Sequence, residues 1–221
     1  MRIALCGGTG DIGEGLALRW ARDTDHDLLV GSRDPEKARA AVERYEEELD
    51  ARGITSSITG FANGMAADRA DVVLACVPAY HLVDTIEAVA DRLDDTMLVS
   101  PAVGMQREEG GFQYNRPSAG SVTALAASAA PEDVPVVGAF HSLAAGRLAD
   151  LGAEIDADTL VVGDSEEAKT TVADLAEEID GLRALDAGPI ANAAPVESLT
   201  PLLINLAQYN YELSDVGVRF E

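Results

Sequence analysis

The run Gly7-Gly8-Thr9-Gly10-Asp11-Ile12-Gly13 constrains this chain more than any other segment. It stands directly between a β-rich stretch, Ile3 to Cys6, and a helical pattern that begins near Ile12. In that position Gly8-x-Gly10-x-x-Gly13 has a mechanical reading. Gly8 permits a tight turn, Gly10 lets the backbone approach a pyrophosphate, and Gly13 allows close helix packing, while the helix amino terminus offers N–H groups to the anion. The segment is read as a dinucleotide cradle, with a tight turn in another kind of α/β protein as the alternative.

Downstream, short β-rich runs alternate with longer helical ones, the pattern of parallel βαβ units covered by helices on both faces. Strands are predicted near residues 3–6, 27–31, 57–61, 71–77, 97–100 and 135–140, and helices near 12–22, 35–52, 80–93 and 118–129. Two further strand-like runs, 159–163 and 182–185, flank a helix near 165–179, and a last amphipathic segment spans 196–213. The expected fold is α/β, a Rossmann-type doubly wound parallel sheet extended by extra strands, with a small C-terminal helical part. Residues 1–188 are expected to form the nucleotide-binding domain and 189–221 the helical segment, joined at a turn, Ala187-Gly188-Pro189. The stretch 101–117 has little periodicity and follows the carboxyl end of a strand, where ligands of open parallel sheets bind. It is either a cofactor wall or a surface excursion.

The second strand ends Val30-Gly31-Ser32-Arg33-Asp34-Pro35-Glu36-Lys37, about 20 residues beyond the glycine turn. An NAD site would usually place an acidic residue there to accept from the ribose hydroxyls; Ser32 and Arg33 stand there instead, which favours NADP. Lys37, one turn into the next helix, is placed to help Arg33 neutralise a 2′-phosphate. Asp34 and Pro35 read as that helix's cap and first residue.

Acidic residues outnumber basic ones 39 to 16 in 221 residues, a formal charge of −23. Such a field opposes phosphate contacts, so nucleic acid is a poor partner. The carboxylates are spread along helix exteriors, as at Glu43, Glu46, Glu47 and Glu48, and only Lys37 and Lys169 are lysines, the composition of a salt-adapted, halophilic surface. No apolar run reaches about 18 residues and the chain opens straight into a strand, so a cytoplasmic protein without a membrane segment is expected.

Cys6 and Cys76 fall on neighbouring predicted strands and read as buried free thiols. Neither H-x-E nor C-x-x-C metal spacing occurs, and no G-x-S-x-G elbow is present. His26 and His81 read as structural or solvated. His141 closes the run Val136-Val137-Gly138-Ala139-Phe140 at the ligand edge of the sheet, where it either bonds a second ligand, with Leu143 as an apolar wall, or simply ends a strand. Glu197-Ser198-Leu199-Thr200-Pro201 reads most simply as a capping segment opening the final helix.

Together these motifs resemble those of the coenzyme F420-dependent NADP oxidoreductases of archaea. The resemblance covers nearly the whole chain. It rests on Arg2-Ile3-Ala4-Leu5-Cys6-Gly7-Gly8-Thr9-Gly10, on Val30-Gly31-Ser32-Arg33 with Lys37, on Val77-Pro78, Val99-Ser100-Pro101 and His141, and on two more specific blocks, Glu178 to Pro189 and Val196 to Leu202. With the acidic surface it points to a haloarchaeal source. It implies reversible hydride transfer between reduced F420, a deazaflavin, and NADP, whose rings stack in a ternary complex. Thr9, Gly10, Asp11 and Ile12 would hold the pyrophosphate, and Ser32, Arg33 and Lys37 the 2′-phosphate. Val77, Pro78, Val103 and Ala145 would border the nicotinamide, and His141, Leu143, Ser198 and Thr200 the deazaflavin. Asp11 stands where the family usually has Asn, Ser142-Leu143-Ala144 where it has Thr-Ile-Pro, and Ala79-Tyr80 where it has Trp-Glu.

The resemblance also implies a homo-oligomer, most simply a dimer. Two rival readings remain at this stage. One is an NADP-dependent imine or hydroxyacid reductase of the pyrroline-5-carboxylate reductase kind, although only about 30 residues follow Gly188 and such enzymes usually append a large helical domain. The other is a non-catalytic NADP-binding sensor.

Overall fold

The predicted alternation is realised in a computed structural model that describes residues 1–221. Its elements run β1 (Arg2–Cys6), α1 (Asp11–Asp23), β2 (Asp27–Ser32), α2 (Pro35–Asp50), β3 (Ser57–Ala62), α3 (Asn63–Ala67), β4 (Val72–Ala75), α4 (Ala79–Glu87) and β5 (Met97–Ser100). They continue β6 (Met105–Glu108), β7 (Gly111–Tyr114), α5 (Val122–Ala129), β8 (Val136–Gly138), α6 (Ala145–Ala149), β9 (Ala157–Gly163), α7 (Glu166–Glu177), β10 (Leu182–Asp186) and α8 (Ala193–Tyr209). Eight strands form one sheet in the order β10-β9-β8-β5-β4-β1-β2-β3. The chain order reverses beside β1, and the connecting loops part there to leave a crevice at the carboxyl edge.

Successive strand residues point to opposite faces, and each face has its own core. Ile3, Leu5, Leu28 and Val30 pack with Leu16, Trp20, Tyr45 and Leu175 on one side. Ala4, Cys6, Val73 and Leu98 pack with Leu82, Ile86, Val122 and Ala126 on the other.

The structure departs from the sequence reading at the sheet's extension. Strand β9 runs antiparallel to β8, whereas β10 is parallel to β9, so the added strands do not continue a wholly parallel sheet. The reason lies in the connections. Between β8 and β9 the only helix is α6, five residues, too short to carry the chain back along the sheet; α7, of twelve residues, makes that return before β10. The stretch 101–117 is not a plain loop either, for β6 and β7 form an antiparallel hairpin turned at Glu109-Gly110. Helix α8 begins at Ala193 and ends at Tyr209, earlier at both ends than predicted. Gly188 adopts φ +87°, as a turn between β10 and α8 requires.

Helix α6 is held by a single buried cation. Arg19 of α1 is wholly buried and donates to the carbonyls of Leu148 at 2.8 Å, Arg147 at 2.7 Å, Asp150 at 2.6 Å and Ala153 at 2.9 Å. These include carbonyls that the end of so short a helix leaves unpaired. Arg19→Met is expected to lower stability by about 3 kcal/mol or more, measured by urea denaturation, because four acceptors would lose their donor at once. A loss below about 1 kcal/mol would mean that water replaces the guanidinium.

Candidate functional site

The glycine turn is built by contacts that exclude side chains. Its left-handed residue is Gly7, at φ +77°, so the conformational demand assigned to Gly8 falls one residue earlier. Gly8 is required for closeness instead: its N–H lies 2.9 Å from the Leu5 carbonyl and 3.0 Å from that of Gly31, and a Cβ there would come within 2.7 Å of the Leu5 oxygen. A Cβ on Gly13 would lie 2.6 Å from the Gly8 Cα, so α1 crosses the turn in direct backbone contact. Gly10 caps α1 without any side-chain acceptor, which leaves the first N–H groups of the helix facing the crevice. Two side chains unnoticed in the sequence brace the turn. Asn63 accepts from the Gly7 N–H at 3.2 Å, and Tyr45 donates to the Gly8 carbonyl at 3.0 Å.

Ser32, Arg33 and Lys37 stand beside this turn, outside the main cavity. The Ser32 hydroxyl accepts from the Asp34 N–H at 3.2 Å, and Asp34 caps α2 through the Glu36 N–H at 3.0 Å. Arg33 and Lys37 are exposed, and neither side chain has a hydrogen bond or ion pair. Among 39 carboxylates that is notable, since Lys169 is held by Glu166 and Asp186 and most arginines are paired.

A cavity of about 850 Å³ opens over the carboxyl ends of β1, β4, β5 and β8. It brings together Gly10, Asp11, Ile12, Val77, Pro78, Val103, His141, Leu143, Ala145 and Thr200, with β6, α8 and the C-terminal tail closing the side away from the turn. Most of its lining is apolar, as flat ring systems need. Cys76 also reaches it, but burial pushes its thiol far above the usual range and keeps it protonated. Gly8, Thr9, Gly13 and Ser198 are not part of the lining. The Ser198 hydroxyl donates to the Pro195 carbonyl of its own helix at 2.8 Å.

His141 is aimed by its neighbours. Phe140 holds φ +65°, a left-handed conformation costly for an aromatic residue, and is kept there by its N–H bond to the Thr159 hydroxyl at 2.8 Å and by edge-on packing against Trp20. The Thr200 hydroxyl donates to the His141 carbonyl at 2.7 Å, so α8 fixes the same turn from the other side. The imidazole is buried, and neither ring nitrogen has a partner within the protein. Both ring nitrogens are thus buried without a partner, on a residue that borders a cavity of ligand size.

Glu197 corrects the capping reading of its segment. It lies in the second turn of α8 and caps a different helix. Its wholly buried carboxylate accepts from the Val122 N–H at 2.9 Å, the Thr123 N–H at 2.8 Å, the Thr123 hydroxyl at 2.9 Å and the Tyr114 hydroxyl at 2.6 Å. With Ser121 bonding the Ala124 N–H, the first three N–H groups of α5 are satisfied and the hairpin is tied to α8.

Burial pushes the His141 pKa down from 6.5 to about 4. Between those values the unfolded chain binds more protons, so the contribution is complete above about pH 6.5 and is lost as pH falls toward 4, about 3 kcal/mol in all. Thermal stability of the unaltered protein should therefore fall more steeply over that window than that of His141→Gln. Parallel curves would mean a solvated ring.

Comparison with known proteins agrees with this geometry. A family model described as NADP oxidoreductase, coenzyme F420-dependent, matches residues 2–104. An F420-dependent NADP reductase of Methanocaldococcus jannaschii is 38% identical over 99% of this chain and 97% of its own. The protein of that name from Methanothermobacter thermautotrophicus is 37% identical over 99% and 94%. A solved structure from an Arthrobacter species, described as a candidate F420-dependent NADP reductase, shares the fold at a TM-score of 0.82 and 24% identity, covering 100% of this chain and 99% of its own. Identity of this extent along the whole length, on a shared fold, places the chain in the family of F420-dependent NADP oxidoreductases.

Proposed function

We propose that this protein catalyses reversible hydride transfer between reduced coenzyme F420 and NADP, both bound in the crevice over the carboxyl edge of the sheet. The observation that carries the reading is a single, largely apolar cavity shared by the start of α1, the His141 turn and α8. The residues present fit both groups. Close backbone packing at Gly8 and Gly13 seats the turn under α1, whose first N–H groups have no side-chain cap, Arg33 and Lys37 stand free for a 2′-phosphate, and His141 has two ring nitrogens without a partner.

The cofactors supply the hydride chemistry, and the protein supplies geometry and field. Thr9, Gly10, Asp11 and Ile12 hold the pyrophosphate, with Ser32, Arg33 and Lys37 at the adenosine phosphate. Val77, Pro78, Val103 and Ala145 exclude water around the nicotinamide. His141, neutral at physiological pH, offers one N–H and one acceptor to the deazaflavin, with Leu143 as its apolar neighbour. Thr200 acts through the His141 carbonyl, whereas the Ser198 hydroxyl is held on Pro195 away from the cavity lining. In this reading residues 1–188 bind NADP and 189–221 complete the deazaflavin pocket.

Leu202, Leu206 and Tyr209 leave an apolar face exposed on α8, which supports a homodimer. No helix is long and apolar enough to cross a membrane, in keeping with a cytoplasmic site. The −23 charge supports adaptation to high salt and with it a haloarchaeal source.

Purified protein mixed with NADPH and oxidised F420 should bleach the deazaflavin absorbance; binding of both without turnover would overturn the catalytic reading. Arg33→Ala should raise KM for NADP about 10- to 100-fold while leaving that for NAD nearly unchanged, and an unaltered preference would remove the 2′-phosphate assignment. The melting temperature should rise as KCl is raised toward about 1 M, where the Debye length shrinks to about 3 Å. Equal stability in dilute buffer would count against salt adaptation.

A further inference from the structure

Strand β9 is seven residues long, yet β8 pairs only with Val162 and Gly163 at its end. The edge that the rest of β9 turns toward β8 is filled by other parts of the chain. Phe140 takes the Thr159 hydroxyl, the Ser142 hydroxyl donates to the Asp158 carbonyl at 3.5 Å, and the Asp158 N–H donates to the Val218 carbonyl at 2.6 Å. The C-terminal tail thus bonds an edge that β8 leaves open, without forming a strand there.

Asp158 is also the tail's anchor. Its carboxylate is wholly buried and receives Arg183 through two bonds, of 2.8 Å and 2.7 Å, and the Phe220 N–H at 2.6 Å, with Arg219 at 3.4 Å. Arg183 donates in addition to the Phe220 carbonyl. Between this anchor and α8 the tail passes the crevice, where Asp215 and Val216 line the cavity. Asp215 rests on Gly146, its carboxylate lying where a side chain at that position would begin. Residues 211–215 are exposed and pack little, which leaves the bonds at Asp158 to decide whether the tail is seated.

We infer that Asp158 is a positioning residue for the reaction: it locks the C-terminal tail so that Asp215 and Val216 form a wall of the deazaflavin pocket. The inference rests on the hydride-transfer reading of the crevice. NADP has independent anchors at the glycine turn and at Arg33, far along its length from its ring. The second ring depends on the walls alone, so loosening the tail should weaken one cofactor and spare the other.

Two full-length variants test this. Phe220→Pro removes one N–H from an exposed tail and leaves the core untouched; Asp158→Asn keeps the shape and removes the charge. Both should raise KM for F420 about tenfold and speed hydrogen exchange across residues 214–221, with the dissociation constant of NADPH and the melting temperature of Phe220→Pro nearly unchanged. An unaltered KM for F420 in Phe220→Pro, an equal weakening of NADPH, or unchanged tail exchange would overturn the assignment. Failure of the unaltered protein to reduce F420 would strike the hydride-transfer reading instead, and the exchange comparison would still judge the anchor.

Discussion

Backbone contact between Gly13 and Gly8 sets the position of α1, and α1 sets nearly everything that faces the crevice. Its amino terminus lies over the end of β1 because no Cβ holds the two apart. About two turns later Arg19 gathers the carbonyls of α6 and the loop after it. Its neighbour Trp20 bonds the Leu175 carbonyl of α7 at 2.8 Å and packs edge-on against Phe140. The helix whose uncapped amino terminus faces the crevice is thus the one that fixes the histidine turn opposite. A shift of α1 would move both halves of the site together.

The second half of the site is organised by satisfied polar groups. Glu197 is a buried carboxylate without a cation, stable because four donors converge on it, two of them from the positive end of α5. Asn205 adds a two-way bond to Phe112, its side chain accepting from the N–H at 2.8 Å and donating to the carbonyl at 2.7 Å. Hairpin, α5 and α8 therefore behave as one wall. Two residues at this edge of the sheet stand apart, the His141 ring and the Ser100 hydroxyl at the end of β5, both buried without a hydrogen-bond partner within the protein.

Much of the fold was legible because its signals are local. Alternating β-rich and amphipathic runs, the glycines after the first strand and the Asp34-Pro35 cap each depend on residues close in sequence. The hairpin was legible in principle, since Glu109-Gly110 separates two strand-length runs, but polar strands such as Met105–Glu108 carry no apolar alternation to reveal them. The direction of β9 was not legible, because it depends on what lies across the sheet and not on the strand itself.

The sequence by itself determined the mostly parallel sheet, the glycine turn between its first strand and helix, and membership of the family, all of them carried by short spacings or by contiguous blocks. Only the tertiary structure decided that Gly7 supplies the left-handed turn, that Glu197 caps a helix some 75 residues earlier, and that Asp158 holds the chain's end. These are matters of which buried donor meets which acceptor across the fold. Burial turns each unpaired group into a cost of a few kcal/mol, so the pairing is strict, yet no spacing along the chain announces it.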